Sequence, residues 1–144
     1  MISDRAKVSG QILSAGVVGL SGEARLTAPT FAACWRGKGR DSVARFALAN
    51  RAQAEAYVVA LGDSAEIRIA QGSTFRGVAV SGGVLRNDGR IEGVAVSRRQ
   101  ECGQASRNCS NGTFIRNLLP TDFALPLGLP GNRGYRLLRW RTGE

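Results

Sequence analysis

The stretch from Gly72 to Ser97, GSTFRGVAVSGGVLRNDGRIEGVAVS, constrains the fold more than any other part of the chain. Valine-rich segments lie on either side of Asn87-Asp88-Gly89. Asn and Asp tolerate positive φ and Gly adopts it freely, so this tripeptide carries hairpin chemistry. Val78 and Val80 alternate with Ala79 and Ser81, and Ile91 and Ala95 alternate with Glu92 and Val94. Such alternation marks strands with one buried face. The expectation is a β-hairpin inside a mainly β protein, with the rest of the chain supplying partner strands.

Those partners are legible to different degrees. Lys7 to Ala15, KVSGQILSA, reads as a first strand, and Val17 to Leu26 as a glycine-broken continuation that Pro29 closes. Phe31 to Asp41 ends in a basic glycine loop. Residues 42–61 admit two readings. One is strand, turn at Asn50 to Gln53, strand. The other is a helix with Val43, Ala47, Ala54, Tyr57, Val58 and Leu61 along one stripe. The β-branched run Tyr57 to Leu61 and the Gly62-Asp63 break favour the strands. Phe46 and Leu48 then belong to the core, and Tyr57 joins them with its hydroxyl at the rim. Ser64 to Ala70 fits a short helix or another strand.

After Gln100 the character changes. Residues 101–112 form a polar loop, Thr113 to Leu119 a short strand, and 120–130 a proline-rich extended wrap. Residues 131–144 form a basic aromatic tail. No internal repeat stands out. The predicted organisation is a β-domain over residues 1–100 with an irregular basic extension, 101–144, packed on it.

Composition narrows the function. The 144 residues suit one domain. No apolar run is long enough to cross a membrane, and the start, MISDRAKVSG, is too polar for a secretory signal, so the expected compartment is the cytoplasm. The net charge is +9, and all but Lys7 and Lys38 of the 20 basic residues are Arg. Arg pairs with phosphates and stacks on bases, so a polyanionic partner is expected. The chain has no His, which removes the commonest general base and metal ligand. Its 11 acids are scattered and no Walker loop is present. The expectation is a protein that is not an enzyme, with no cofactor and no small-molecule substrate.

Several pieces, read in order, resemble the bacterial single-stranded-DNA-binding and primosomal OB-fold family. KVSGQIL resembles the opening strand of that family, SVARFALAN its second strand, AYVVALGDSAE the next strand and following helix, and IAQGSTFRGVAVSGGVLRNDGRIEG the later hairpin. The similarity covers about residues 7–97. It implies a five-stranded OB-fold-like barrel with a short helix, and single-stranded nucleic acid as partner. Glu55 and Leu61 stand where the family carries aromatic residues, so basic residues would carry more of the binding than stacking, as in the primosomal relative.

The candidate binding residues follow. Arg86 and Arg90 bracket the expected hairpin tip, with Arg76 on the adjoining strand. Trp35, Arg36, Lys38 and Arg40 form an aromatic-basic loop, in which Trp35 serves either as a stacking platform or as a core anchor beside Phe31. Arg133, Tyr135, Arg136, Arg139, Trp140 and Arg141 are the densest basic-aromatic cluster, suited to a phosphate clamp or to a final strand with solvated arginines. Cys102 and Cys109 are either free thiols or, after export, a disulfide. With Cys34 they fall short of a closed zinc site, so no metal is expected. The alternative function is a structural or assembly subunit of a phage, pilus-like or ribonucleoprotein particle, with homo-oligomerisation as part of either reading.

Overall fold

The computed structural model describes residues 1–38, 43–101, 113–114 and 121–123. Among them there is no helix. The strands are β1 (Lys7–Ser14), β2 (Val17–Leu20), β3 (Arg25–Trp35), β4 (Arg45–Leu48), β5 (Gln53–Leu61), β6 (Glu66–Ile69), β7 (Thr74–Asn87), β8 (Arg90–Glu101) and β9 (Thr113–Phe114). They form one nine-stranded sheet, and every pairing between them is parallel. No helix of the described residues is long and apolar enough to cross a membrane.

The order β1-β3-β5-β7-β6-β4-β2 reveals a coil. One wall stacks β1, β3, β5 and the first parts of β7 and β8. The opposite wall stacks β2, β4, β6, the second half of β7 and Arg99–Glu101 of β8. The chain crosses from wall to wall and returns one rung higher, with rungs starting at Lys7, Arg25, Gln53, Thr74 and Arg90.

Corner turns make the return. Ala24, Ala52 and Ser73 each donate a backbone hydrogen bond three residues back, to Ser21, Ala49 and Ala70. All three are small and almost fully buried. The second of these corners holds Asn50 and Arg51 at positive φ, 53° and 70°, where the sequence predicted a turn.

The mainly β class agrees with the structure, and so does the strand-turn-strand reading of residues 42–61 over its described part, as β4 and β5. The OB-like five-stranded barrel does not, and neither does its short helix: Glu66–Ile69 is strand β6. The hairpin at Asn87-Asp88-Gly89 is also corrected. Arg90 stands beside Thr74, not beside Asn87. The donors at the turn bond downward to the preceding rung, Asp88 N–H to the Ile69 carbonyl (2.8 Å) and Arg90 N–H to the Ser73 carbonyl (3.0 Å). A Cβ on Gly89 would lie 2.6 Å from both the Ala70 and Ser73 carbonyl oxygens, so the corner sits directly on the one below. Pro29 does not close a region either. It lies within β3, where the register shifts between Leu26 and Phe31. Repeating rungs replace the expectation of no internal repeat.

The core fills the space between the walls. Phe46, Phe75, Leu20, Leu48, Ile67, Ile69 and Ile91 are among the largest fully buried side chains. Phe46 and Phe75 meet edge to face at 6.3 Å. The burial of β5 alternates without a break, with Ala54, Ala56, Val58 and Ala60 inward. Alanines at these positions let the walls approach closely.

Candidate interaction face

Outward-facing positions carry the chemistry, because in-register parallel stacking lines them up in rows whose neighbours stand about 4.8 Å apart. Glu55, Arg76 and Glu92 form one row on neighbouring strands. The Arg76 guanidinium donates to Glu55 Oε1 at 2.9 Å, reaches Glu92 Oε2 at 4.0 Å and pairs with Asp122. Partial desolvation works against its charge. The hydrogen bond to Asp122 and the charges of Glu55, Asp122 and Glu92 outweigh that and raise its pKa. On the other wall Glu66, mostly buried, accepts from Arg45 Nε at 2.6 Å and faces Arg86 Nη1 at 3.4 Å. Arg86 also pairs with Glu101 at 3.0 Å. Arg76 and Arg86, expected to meet phosphate, are committed to internal carboxylates.

The remaining candidates do not converge on one groove. Trp35 and Arg36 lie at the end of β3 and Lys38 just beyond, all exposed. Arg90 opens β8, on the row of Gln53 and Thr74. Trp35 shares a row with Leu61, at the other end of β5. That strand length separates Trp35 from Arg90 by about 25 Å. Arg40, Arg133, Tyr135, Arg136, Arg139, Trp140 and Arg141 lie outside the described residues, as do Cys102 and Cys109. Phe46 and Leu48 are in the core as expected. Tyr57 is half-buried on the outer surface beside Phe31, with ring centroids 6.1 Å apart.

Cys34 is buried and unpaired, and desolvation pushes its thiol up to about 11. It therefore stays protonated near neutrality and is a poor nucleophile. Among the described residues no group of three or more His, Cys, Asp or Glu is placed to hold a metal ion.

Sequence reasoning missed the apolar outer surface of the long wall. Phe31, Tyr57, Val78 and Val94 form one row, Leu13, Ala33, Val59, Val80 and Val96 the next, and Trp35 with Leu61 a third. Leu13 is 62% exposed, Val96 55%, Leu61 52% and Trp35 39%. The patch is on the order of 400 Å², at the upper end of what a monomer ordinarily leaves uncovered. The signal was present in FAACW and YVVAL. Apolar residues on both faces of a strand imply either a second covering layer or a sticky outer surface.

No family model, curated protein or solved structure matches this chain.

Proposed function

We propose that this protein is a non-enzymatic assembly subunit, a β-coil that associates through protein contacts. The observation that carries this is the exposed apolar surface formed by the rows ending at Leu13, Leu61, Trp35 and Val96. Pairing of Arg45, Arg76 and Arg86 with carboxylates supports it, because it lowers the charge on the described surface that a polyanion would meet. Apolar association survives salt that screens ionic contacts. Nuclease-treated protein, sized by light scattering across a concentration range in about 1 M salt, is expected to associate. A monomer at every concentration would overturn the proposal.

One observation favours a second reading, contact with single-stranded nucleic acid. Lys7, Arg25 and Arg90 share a row at the strand starts, and among the described residues none is paired with an acid. Arg25 also borders a shallow hollow of about 240 Å³ with Thr27, Gln53 and Thr74. Titration of a labelled oligonucleotide at two salt concentrations tests this reading. Affinity that falls steeply with salt, and falls further in Arg25→Glu and Arg90→Glu, supports it; no binding at either salt excludes it.

A further inference from the structure

We infer that the partner in this assembly is a second copy of the same chain, stacked end-on, with β1 of one copy continuing the sheet beyond β8 of the next. The inference rests on the assembly reading and adds its geometry. Three observations carry it.

The first is register. Gln11, Phe31, Tyr57, Val78 and Val94 form one row, and the next rows run from Ile12 to Ala95, Leu13 to Val96 and Ser14 to Ser97. A stacked copy therefore places Gln11 over Val94, Ile12 over Ala95, Leu13 over Val96 and Ser14 over Ser97, each pair one strand spacing apart. The inward Ile12–Ala95 pair and the outward Leu13–Val96 pair are apolar, Ser14–Ser97 is hydroxyl on hydroxyl, and only the outward Gln11–Val94 pair sets a polar side chain on an apolar one. Gly10 and Gly93 also match in backbone shape, at φ 110° and 139°.

The second is incomplete burial at the two ends of these columns. Ile12 and Ala95 pack against the core yet remain partly exposed, while Ala32, Val58 and Ala79 between them are buried. Leu13 and Val96 are more than half exposed at the ends of a row whose Ala33 is buried. Stacking would cover all four ends at once.

The third is the lack of edge protection on the long wall; on the opposite wall Ile2 pairs with the outer edge of β2, and β8 ends in Arg98, Arg99 and Glu101. Natural edge strands carry charges or prolines that deter pairing. β1 has neither between Val8 and Ser14, and β8 has neither between Gly93 and Ser97. Among the described residues nothing pairs with the outer edge of β1, and β9 covers only Arg90 and Ile91 of β8. In this register Lys7 and Val8 of the stacked copy fall where β9 lies over Arg90 and Ile91, so stacking requires β9 to give way there, and the open contact runs from Gly93 to Ser97. Because the two joined surfaces differ, the contact is heterologous and extends into a filament along the coil axis.

Single variants Leu13→Cys and Val96→Cys, mixed and oxidised, test this. In-register neighbours in a sheet have Cα atoms within disulfide range, so a Leu13–Val96 linked dimer, identified by mass spectrometry of the joined peptides, is expected. Lys7→Cys with Val96→Cys is the control, offset by about 20 Å. The matched pair should give at least about tenfold more linked dimer than the control. Association by light scattering with no excess of the Leu13–Val96 link would overturn end-on stacking and leave the assembly reading standing. Monomers at every concentration would overturn both.

Discussion

A Cβ on Gly93 would stand 2.0 Å from the carbonyl oxygen of Gly77, its partner one rung below. Gly77 stands in the same relation to Ala56, whose carbonyl oxygen would lie 2.2 Å away. Both glycines have positive φ, 128° at Gly77 and 139° at Gly93. At such φ a Cβ would point along the stack into the rung below, so only hydrogen fits at these two positions.

Gly93→Ala should therefore destabilise the fold by about 3 kcal/mol or more, combining backbone strain with a clash against main chain. Gly10→Ala shares the positive φ but meets nothing within 4 Å, so strain alone should cost about 1 kcal/mol. Urea denaturation of the two variants measures the difference. Equal losses would mean that contact with the rung below adds nothing to the backbone strain.

Phe46→Ala should cost about 3–5 kcal/mol, because the ring is fully buried and its removal leaves Phe75 without its edge-to-face neighbour. Phe46→Leu should recover about half of that loss. Chemical denaturation midpoints with unchanged slopes would confirm that the native packing alone is affected.

Arg76→Met removes the only cation between Glu55 and Glu92 in their row. The variant should lose about 1–3 kcal/mol, as Glu55, Glu92 and Asp122 are left without their shared cation. Salt at about 1 M screens both the lost attraction and the new repulsion, so the gap to wild type should narrow. A gap that stays constant with salt would assign the loss to packing of the arginine stem.

Cys34 gives a pH signature. Its folded thiol titrates at about 11 against 9.0 for an unperturbed one, so the unfolded chain ionises first as pH rises. Its contribution is complete below pH 9 and is lost as pH climbs towards 11, reaching about 2–3 kcal/mol. Cys34→Ala should flatten that part of the stability–pH curve. In the native protein at pH 8, Cys34 should also resist a thiol reagent that labels it at once after denaturation.

Local chemistry was legible in the sequence; global pairing was not. Phe46 and Leu48 could be placed in the core, and a turn at Asn50, because alternation and turn residues act over a few positions. Asn87-Asp88-Gly89 misled because a tight turn serves a hairpin and a coil corner equally. Which one forms depends on whether its donors meet the strand across the turn or the rung below. The repeat was hidden because its rungs differ in length. The rungs that start at Lys7, Arg25, Gln53, Thr74 and Arg90 are unevenly spaced in sequence, and Asp88-Gly89 makes one corner short. Arg76 and Arg86 looked available because their carboxylate partners, Glu55 and Glu66, are distant in sequence and are brought alongside only by parallel register.

β7 belongs to both walls, pairing β5 through Ser81 and β6 from Val84 onward. It is a continuous tie rod across the coil, bent at Gly82-Gly83, where a Cβ would collide with the Gly62 and Ala65 carbonyl oxygens. Neither wall can melt while that rod holds, so heating should part them in one calorimetric transition rather than two.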